Sequence, residues 1–251
     1  MKYIKENWKF LLFVLIVGFI GVITAVFYTL DLAPKEALDE AIKQVGSKEV
    51  VILISIIQST IYVMLSAIFG VILSNKIGLW KKITFDKKKL LVTLIIAIIG
   101  GLCLILPDLL IFGNFNEIIK HSFDTKPTLD YLVMSLTYGG VVEEVMMRLF
   151  LMSLLSFIIY KIFYKKEKKV PIKVFVIANI ISAVLFALGH LPVTASTFGE
   201  ITPLLLFRCL LLNGGFGLVF GYLYRKYGIQ YSMIAHFGSH LISKLIWILF
   251  L

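Results

Sequence analysis

The stretch FLLFVLIVGFIGVITAVFYTL, from Phe10 to Leu30, contains no Asp, Glu, Lys or Arg. At about 1.5 Å of rise per residue it makes a helix about 30 Å long, which matches the hydrocarbon thickness of a bilayer. Its apolar residues run unbroken instead of alternating, which fits a spanning helix and not a barrel strand. In lipid every backbone N–H and C=O must pair within the protein, and a single helix achieves that unaided. Lys2, Lys5 and Lys9 precede the run. The run is longer than a signal-peptide core and no A-x-A-like site follows it, so it reads as a retained first span.

Six further runs have the same character: Val50–Leu73, Leu90–Phe112, Tyr131–Tyr160, Val174–Leu191, Leu204–Tyr224 and Ile229–Leu251. The chain of 251 residues is 59% hydrophobic and 16% charged, with a mean hydropathy of +0.95. A water-soluble domain of this length has no interior large enough for that much apolar surface. The sequence therefore predicts an all-α, polytopic transmembrane helical bundle of about seven spans (seven to eight), in one membrane-embedded domain over residues 1–251. The fourth run is too long for one upright span, so it must tilt or protrude at its lysine-rich end.

The net charge of +10 is read as orientation signal and not as a nucleic-acid footprint. Alternate segments between spans carry 17 Lys and Arg on one side and 5 on the other. That asymmetry predicts a multi-pass protein of the plasma membrane with a cytoplasmic N-terminus and an external C-terminus. Segment 31–49 mixes lysines with acids and reads as a short amphipathic external helix. Ser74–Lys89 and Lys161–Lys173 read as solvated loops near anionic headgroups. Cys103 and Cys209 fall inside apolar runs and read as small buried hydrophobes.

Ionisable residues within spans are costly, and each marks a candidate functional site. The fourth span holds Glu143-Glu144-Val145-Met146-Met147-Arg148, the fifth ends Phe186-Ala187-Leu188-Gly189-His190, and the seventh holds His236-Phe237-Gly238-Ser239-His240. Glu144 and Arg148 are four apart and can pair on one helix face. Glu143 then points about 100° away with no local partner, which suits a general base. His236 and His240 share a face, one turn apart. Two such imidazoles can bind one metal or donate hydrogen bonds to one oxyanion. Asp108 is expected at the external interface, and Arg208 in a packing or carbonyl-pairing role. Lys244 is expected to snorkel or pair, and Pro192 to stop the fifth helix.

The order E-E-x-x-x-R, F-x-x-x-H, then H-x-x-x-H, each on its own span, resembles the CPBP (Abi) family. That family holds type II CAAX prenyl endopeptidases and bacteriocin-processing or self-immunity proteins. The resemblance runs from about Tyr131 to Ser243 and includes Asn213-Gly214-Gly215-Phe216-Gly217 and Gly221-Tyr222-Leu223-Tyr224. The chain departs from the pattern at His240, where the family usually has Asn. The resemblance implies an intramembrane endopeptidase in which Glu143 activates water, His190 orients that water, and His236 with His240 stabilises the oxyanion. Glu144 and Arg148, with Phe186, would support them. A divalent metal such as zinc, held by Glu143, His190, His236 and His240, is the alternative way to activate the water. The partners expected are membrane lipid and a peptide or protein substrate at the membrane, with no nucleic acid.

Two rival functions fit the same residues. One is a non-catalytic membrane binding or bacteriocin self-immunity protein on the same fold. The other is a proton-coupled transporter, since intramembrane Glu and His also mark ion paths. One geometric condition bears on all three readings. With straight helices, His236 lies about 10 Å and His190 about 24 Å from the cytoplasmic end of their spans. A shared site then requires the fifth helix to begin in the cytoplasm, or the Arg225–Gly228 turn to be recessed.

Overall fold

The computed structural model describes residues 2–251. Among these, all regular structure is helical and no strand is present. Seven helices are long and apolar enough to cross a membrane: Trp8–Leu32, Lys48–Lys76, Lys87–Asn114, Leu129–Phe163, Ile172–Phe198, Pro203–Tyr227 and Ile229–Phe250. A short helix, Lys35–Val45, joins the first two and buries none of its side chains. Leu53, Ile57, Ile61 and Phe69 of the second span and Ile98 and Ile99 of the third project outward and are exposed. In water such a belt would drive aggregation. Against lipid it is the expected outer surface.

The fourth span is the central element. Its residues Val141, Val142, Val145, Leu149 and Met152 are buried with Leu11, Val14 and Val22 of the first span and Val63, Ala67 and Val71 of the second. Lipid tails are as apolar as these side chains, so close packing holds the helices together more than water exclusion does. Small residues permit that packing. A Cβ built on Gly101 of the third span would lie 2.6 Å from Ile242 Cγ2 of the seventh, so these two helices touch there only because Gly101 lacks a side chain.

The long fourth run is accommodated by its winding. Leu129–Met134 is α-helical, Ser135–Val142 and Glu144–Met152 are wound in wider π turns, and Ser153–Phe163 returns to α geometry. A chain bonded i→i+5 places more residues in each turn. The span therefore travels a shorter axial distance than the α-helix assumed from sequence. The fifth helix stops just before Pro192, as expected, but the span goes on in a second helix. The first helix closes at Gly189 with His190 as cap, and Pro192 sits in the first turn of the second, Leu191–Phe198. Pro has no N–H to leave unpaired in a first turn, so Pro192 begins a helix instead of stopping the span.

The depth conflict is resolved at the turn between the sixth and seventh spans. Gly228, at φ +118°, closes the sixth helix, and its N–H donates to Tyr224 O at 3.0 Å. Gly228, Ile229, Gln230 and Tyr231 are all buried. The segment after the second span lies over them: Gln230 Nε2 donates to Thr84 O at 3.0 Å, and Tyr231 OH accepts from Asp86 N–H at 2.7 Å. Tyr224 OH lies 2.9 Å from Ser153 Oγ, on a fourth span that continues to Phe163. The turn is thus recessed within the protein, which raises His236 toward the level of His190.

Two expectations about isolated charges are corrected. Asp108 does not reach an interface but is 4% exposed. It accepts a two-pronged hydrogen bond from Arg208, Nε to Oδ1 at 2.6 Å and Nη2 to Oδ2 at 2.5 Å. Arg208 therefore pairs with a carboxylate and not with carbonyls, tying the third span to the sixth. A buried charge without that partner would cost several kcal/mol. Lys244 Nζ donates to Tyr131 OH at 3.2 Å and lies over its ring. Cys209 is buried and Cys103 half-buried.

Candidate active site

Glu143 stands at the junction of the two π segments, and its side chain is 19% exposed. It faces a cavity of about 780 Å³ whose wall includes His190, His236, His240, Phe186 and Phe220. Its Oε1 lies 3.7 Å from His190 Nε2 and its Oε2 lies 3.8 Å from His236 Nε2. Both gaps are too long for direct hydrogen bonds and suit a bridging water.

Glu144 points the other way, into protein, and is fully buried. Its Oε1 accepts from His236 Nδ1 at 2.9 Å and lies 3.3 Å from Arg148 Nη1. Its Oε2 accepts from the Ser232 hydroxyl, which also lies 2.8 Å from Phe220 O. The pairing of Glu144 with Arg148 was legible from their spacing. Its bond to His236, across two spans, was not. Arg148 is further enclosed by aromatic faces, with Cζ 4.4 Å from the Phe186 ring centre and 5.7 Å from that of Phe220. A guanidinium over such rings gains cation–π stabilisation when desolvated.

These partners assign the imidazole tautomers. His190 Nδ1 lies 2.8 Å from the Phe186 carbonyl, which can only accept, so Nδ1 carries the proton. His236 Nδ1 likewise donates to the Glu144 carboxylate. In the neutral rings Nε2 is then bare on both residues, and both Nε2 atoms are turned toward Glu143. Four acceptor atoms thus surround one small volume, where a water can donate to two of them at a time.

His240 lies on the same face of the seventh span as Ser232 and His236. Its ring stacks on His236 with centroids 5.0 Å apart. Its Nδ1 is buried with no protein partner. The ring fits because residue 139 is glycine: a Cβ there would lie 2.8 Å from His240 Nε2. Phe186 sets its edge against His190, centroids 4.6 Å apart, and Phe220 stacks on His236 at 4.5 Å. The structure thus gathers Glu143, His190, His236 and His240 around one cavity, with Glu144, Arg148 and Phe186 behind them. Ser232, Phe220 and Gly139 complete the group and were not singled out from sequence. Ser232 was detectable as the residue one turn before His236.

Two imidazole nitrogens and a carboxylate are donor types that suit a catalytic zinc ion, but they are not drawn together as ligands of one ion in this structure. Tetrahedral zinc, with bonds of about 2.0–2.1 Å, places its ligand atoms about 3.4 Å apart. The Glu143–imidazole separations, 3.7 and 3.8 Å, are slightly wider, and the His240 ring stacks on His236. Among the described residues, no group of three or more His, Cys, Asp and Glu is placed to hold a metal ion.

Comparison with known proteins adds one finding. Residues 125–242 match the family model described as type II CAAX prenyl endopeptidase Rce1-like. No curated protein and no solved structure matched the chain. The matched segment contains Glu143, Glu144, Arg148, Phe186, His190, His236 and His240 and begins just before the fourth span. Residues 125–242 of this multi-span helical protein are a domain of the Rce1-like type II CAAX prenyl endopeptidase family.

Proposed function

We propose that the protein is an intramembrane endopeptidase in which Glu143 activates a water molecule against a peptide bond. The observation that carries this reading is the placement of the Glu143 carboxylate opposite two bare imidazole nitrogens, at 3.7 and 3.8 Å, in a cavity within the bundle. A water there donates one hydrogen bond to Glu143 and one to an imidazole, leaving an oxygen lone pair free to attack a carbonyl. As the oxygen adds to the carbonyl carbon, its proton passes to Glu143. The proton then goes to the leaving nitrogen as the C–N bond breaks. His190 or His236 accepts the water's second hydrogen bond, and Glu144 fixes the His236 ring and faces any positive charge that develops on it. His240 is the group available to donate to the oxyanion.

Each part of this arrangement has a cause in the chain. The two adjacent glutamates diverge because neighbouring residues of a helix point about 100° apart, so one serves the cavity and the other the protein interior. Arg148 balances the buried charge of Glu144 one turn away. The test is cleavage of a fluorescence-quenched peptide library by purified protein and by Glu143→Gln, with and without chelator. The expected result is hydrolysis that falls about 10²–10⁴-fold in the variant and persists in chelator. Equal cleavage by both proteins would remove Glu143 from the chemistry.

A further inference from the structure

The cavity is placed unevenly along the bundle axis. Its wall takes Tyr28 and Thr29 from the end of the first span, Ser55 from the start of the second, Tyr131 and Ser135 from the start of the fourth, and Val193 from beyond His190. All six lie toward the end of the bundle that carries the Lys35–Val45 helix and residues 115–128. Thr29 and Val193 are exposed there. Glu143, His190 and His236 form the deep end of the cavity.

The opposite end is closed by protein. Below the histidines lie Glu144, Arg148, Ser232 and Tyr224, all buried, and then Gln230 and Tyr231 beneath the segment that carries Thr84. The lysine-rich segments are at this closed end: 17 of the chain's Lys and Arg residues fall on that side, against 5 on the other. Positive charge retained on the cytoplasmic side orients a membrane protein. Together the two asymmetries place the open end of the cavity away from the cytoplasm.

We infer that the cavity receives its peptide from the extracytoplasmic side, so that the substrate is an exported or externally exposed polypeptide segment. This rests on the proteolytic reading above for the word substrate, but not for the direction of access. The wall also indicates what kind of segment fits. Among the described residues Glu143 is the only Asp, Glu, Lys or Arg that lines the cavity. A free C-terminal carboxylate close to the reacting bond would meet a like charge with no cation in the wall. An internal, uncharged stretch meets the hydroxyls of Tyr28, Ser55, Tyr131 and Ser135, which can bond to an extended backbone.

Access is tested by cysteine labelling in intact cells, in a parent chain carrying Cys103→Ser and Cys209→Ala. Met134→Cys lies on the cavity wall, Thr29→Cys at its rim, and Lys166→Cys on the lysine-rich face. A membrane-impermeant maleimide should label Thr29→Cys and Met134→Cys from outside, and Lys166→Cys only after permeabilisation. The reverse pattern would overturn the inference, and so would Met134→Cys resisting the reagent from both sides. Each variant is read only where it accumulates at the parent level, and Thr29→Cys stands in if Met134→Cys does not. Labelling is independent of catalysis and should be the same when Glu143→Gln is added. A quenched peptide of uncharged residues is then supplied to intact cells. Cleavage outside by the wild type and not by Glu143→Gln is expected, and cleavage only after permeabilisation would overturn the inference. External labelling with no cleavage under either condition would leave the access route standing and remove the protease reading.

Discussion

Replacing Glu144 by Gln separates what this residue does for the fold from what it does for the proposed reaction. The carboxylate is fully buried, with Arg148 Nη1 at 3.3 Å and His236 Nδ1 at 2.9 Å. At 3.3 Å and an effective dielectric constant of about 20, the gross attraction to Arg148 is about 5 kcal/mol. Part of it is offset by desolvation, and losing one partner of a buried pair typically costs about 3–5 kcal/mol. Glutamine has nearly the same shape. Its oxygen can face His236 and Arg148 while its NH₂ donates to Ser232 Oγ, whose own proton turns to Phe220 O. Hydrogen bonding then survives and charge does not. Glu144→Gln should therefore lower thermal stability in detergent by several kcal/mol and reduce kcat about 10²–10³-fold, the loss expected when one preorganised charge contact is removed. Glu144→Gln with Arg148→Met removes both charges and replaces the arginine stem with an apolar chain of similar reach. Stability should return to within about 1–2 kcal/mol of the wild type, while kcat stays low. Melting temperature and quenched-peptide turnover, measured on the same preparations, decide the matter. If kcat recovers along with stability, Glu144 acts only as a counter-ion to Arg148, and its orientation of His236 is irrelevant to turnover.

Three further outcomes follow from particular contacts. Gly139→Ala forces His240 to move, since the added Cβ would sit 2.8 Å from its Nε2. With about 1–3 kcal/mol of overpacking, kcat should fall about tenfold with KM little changed, and an unchanged kcat would take His240 out of the reacting group. Asp108→Asn breaks the buried pair with Arg208 and should destabilise the protein by about 3 kcal/mol without altering kcat of the folded fraction, because neither residue lines the cavity. Asp108→Asn with Arg208→Gln should recover part of that loss in thermal melts. Prolonged dialysis against a chelator should leave turnover intact; loss restored by added zinc would show that the donors close around an ion on binding.

The helical class, the number of spans and their approximate limits were legible because an unbroken apolar run about 30 Å long has few stable alternatives in lipid. The grouping of Glu143, His190 and His236 was legible from the cost of placing such residues in spans. Three features were not. Hydropathy carries no information on which helices are neighbours, so the Asp108–Arg208 pair appeared as two separate problems. Hydrogen-bond register is equally silent in composition, so the π winding around Glu143 had no signal beyond the excess length of the fourth run. The bond between Glu144 and His236 depends on the recessed turn at Gly228, which only the folded chain reveals. Small residues flank the site in abundance, but which of them faces a side chain of the proposed site, as Gly139 faces His240, is a matter of helix rotation.

For the proposed peptidase, the closed end of the cavity restricts how a polypeptide can present its scissile bond. A straight helix threaded across the bilayer cannot pass Glu143, because the packed Glu144, Arg148 and Tyr224 block its onward path. The bond must arrive at the tip of a bend, or close to a frayed chain end that dips in and withdraws. Both fragments then depart by the route along which the intact chain entered, so a substrate stiffened against bending should be spared even when its sequence at the cut site is ideal.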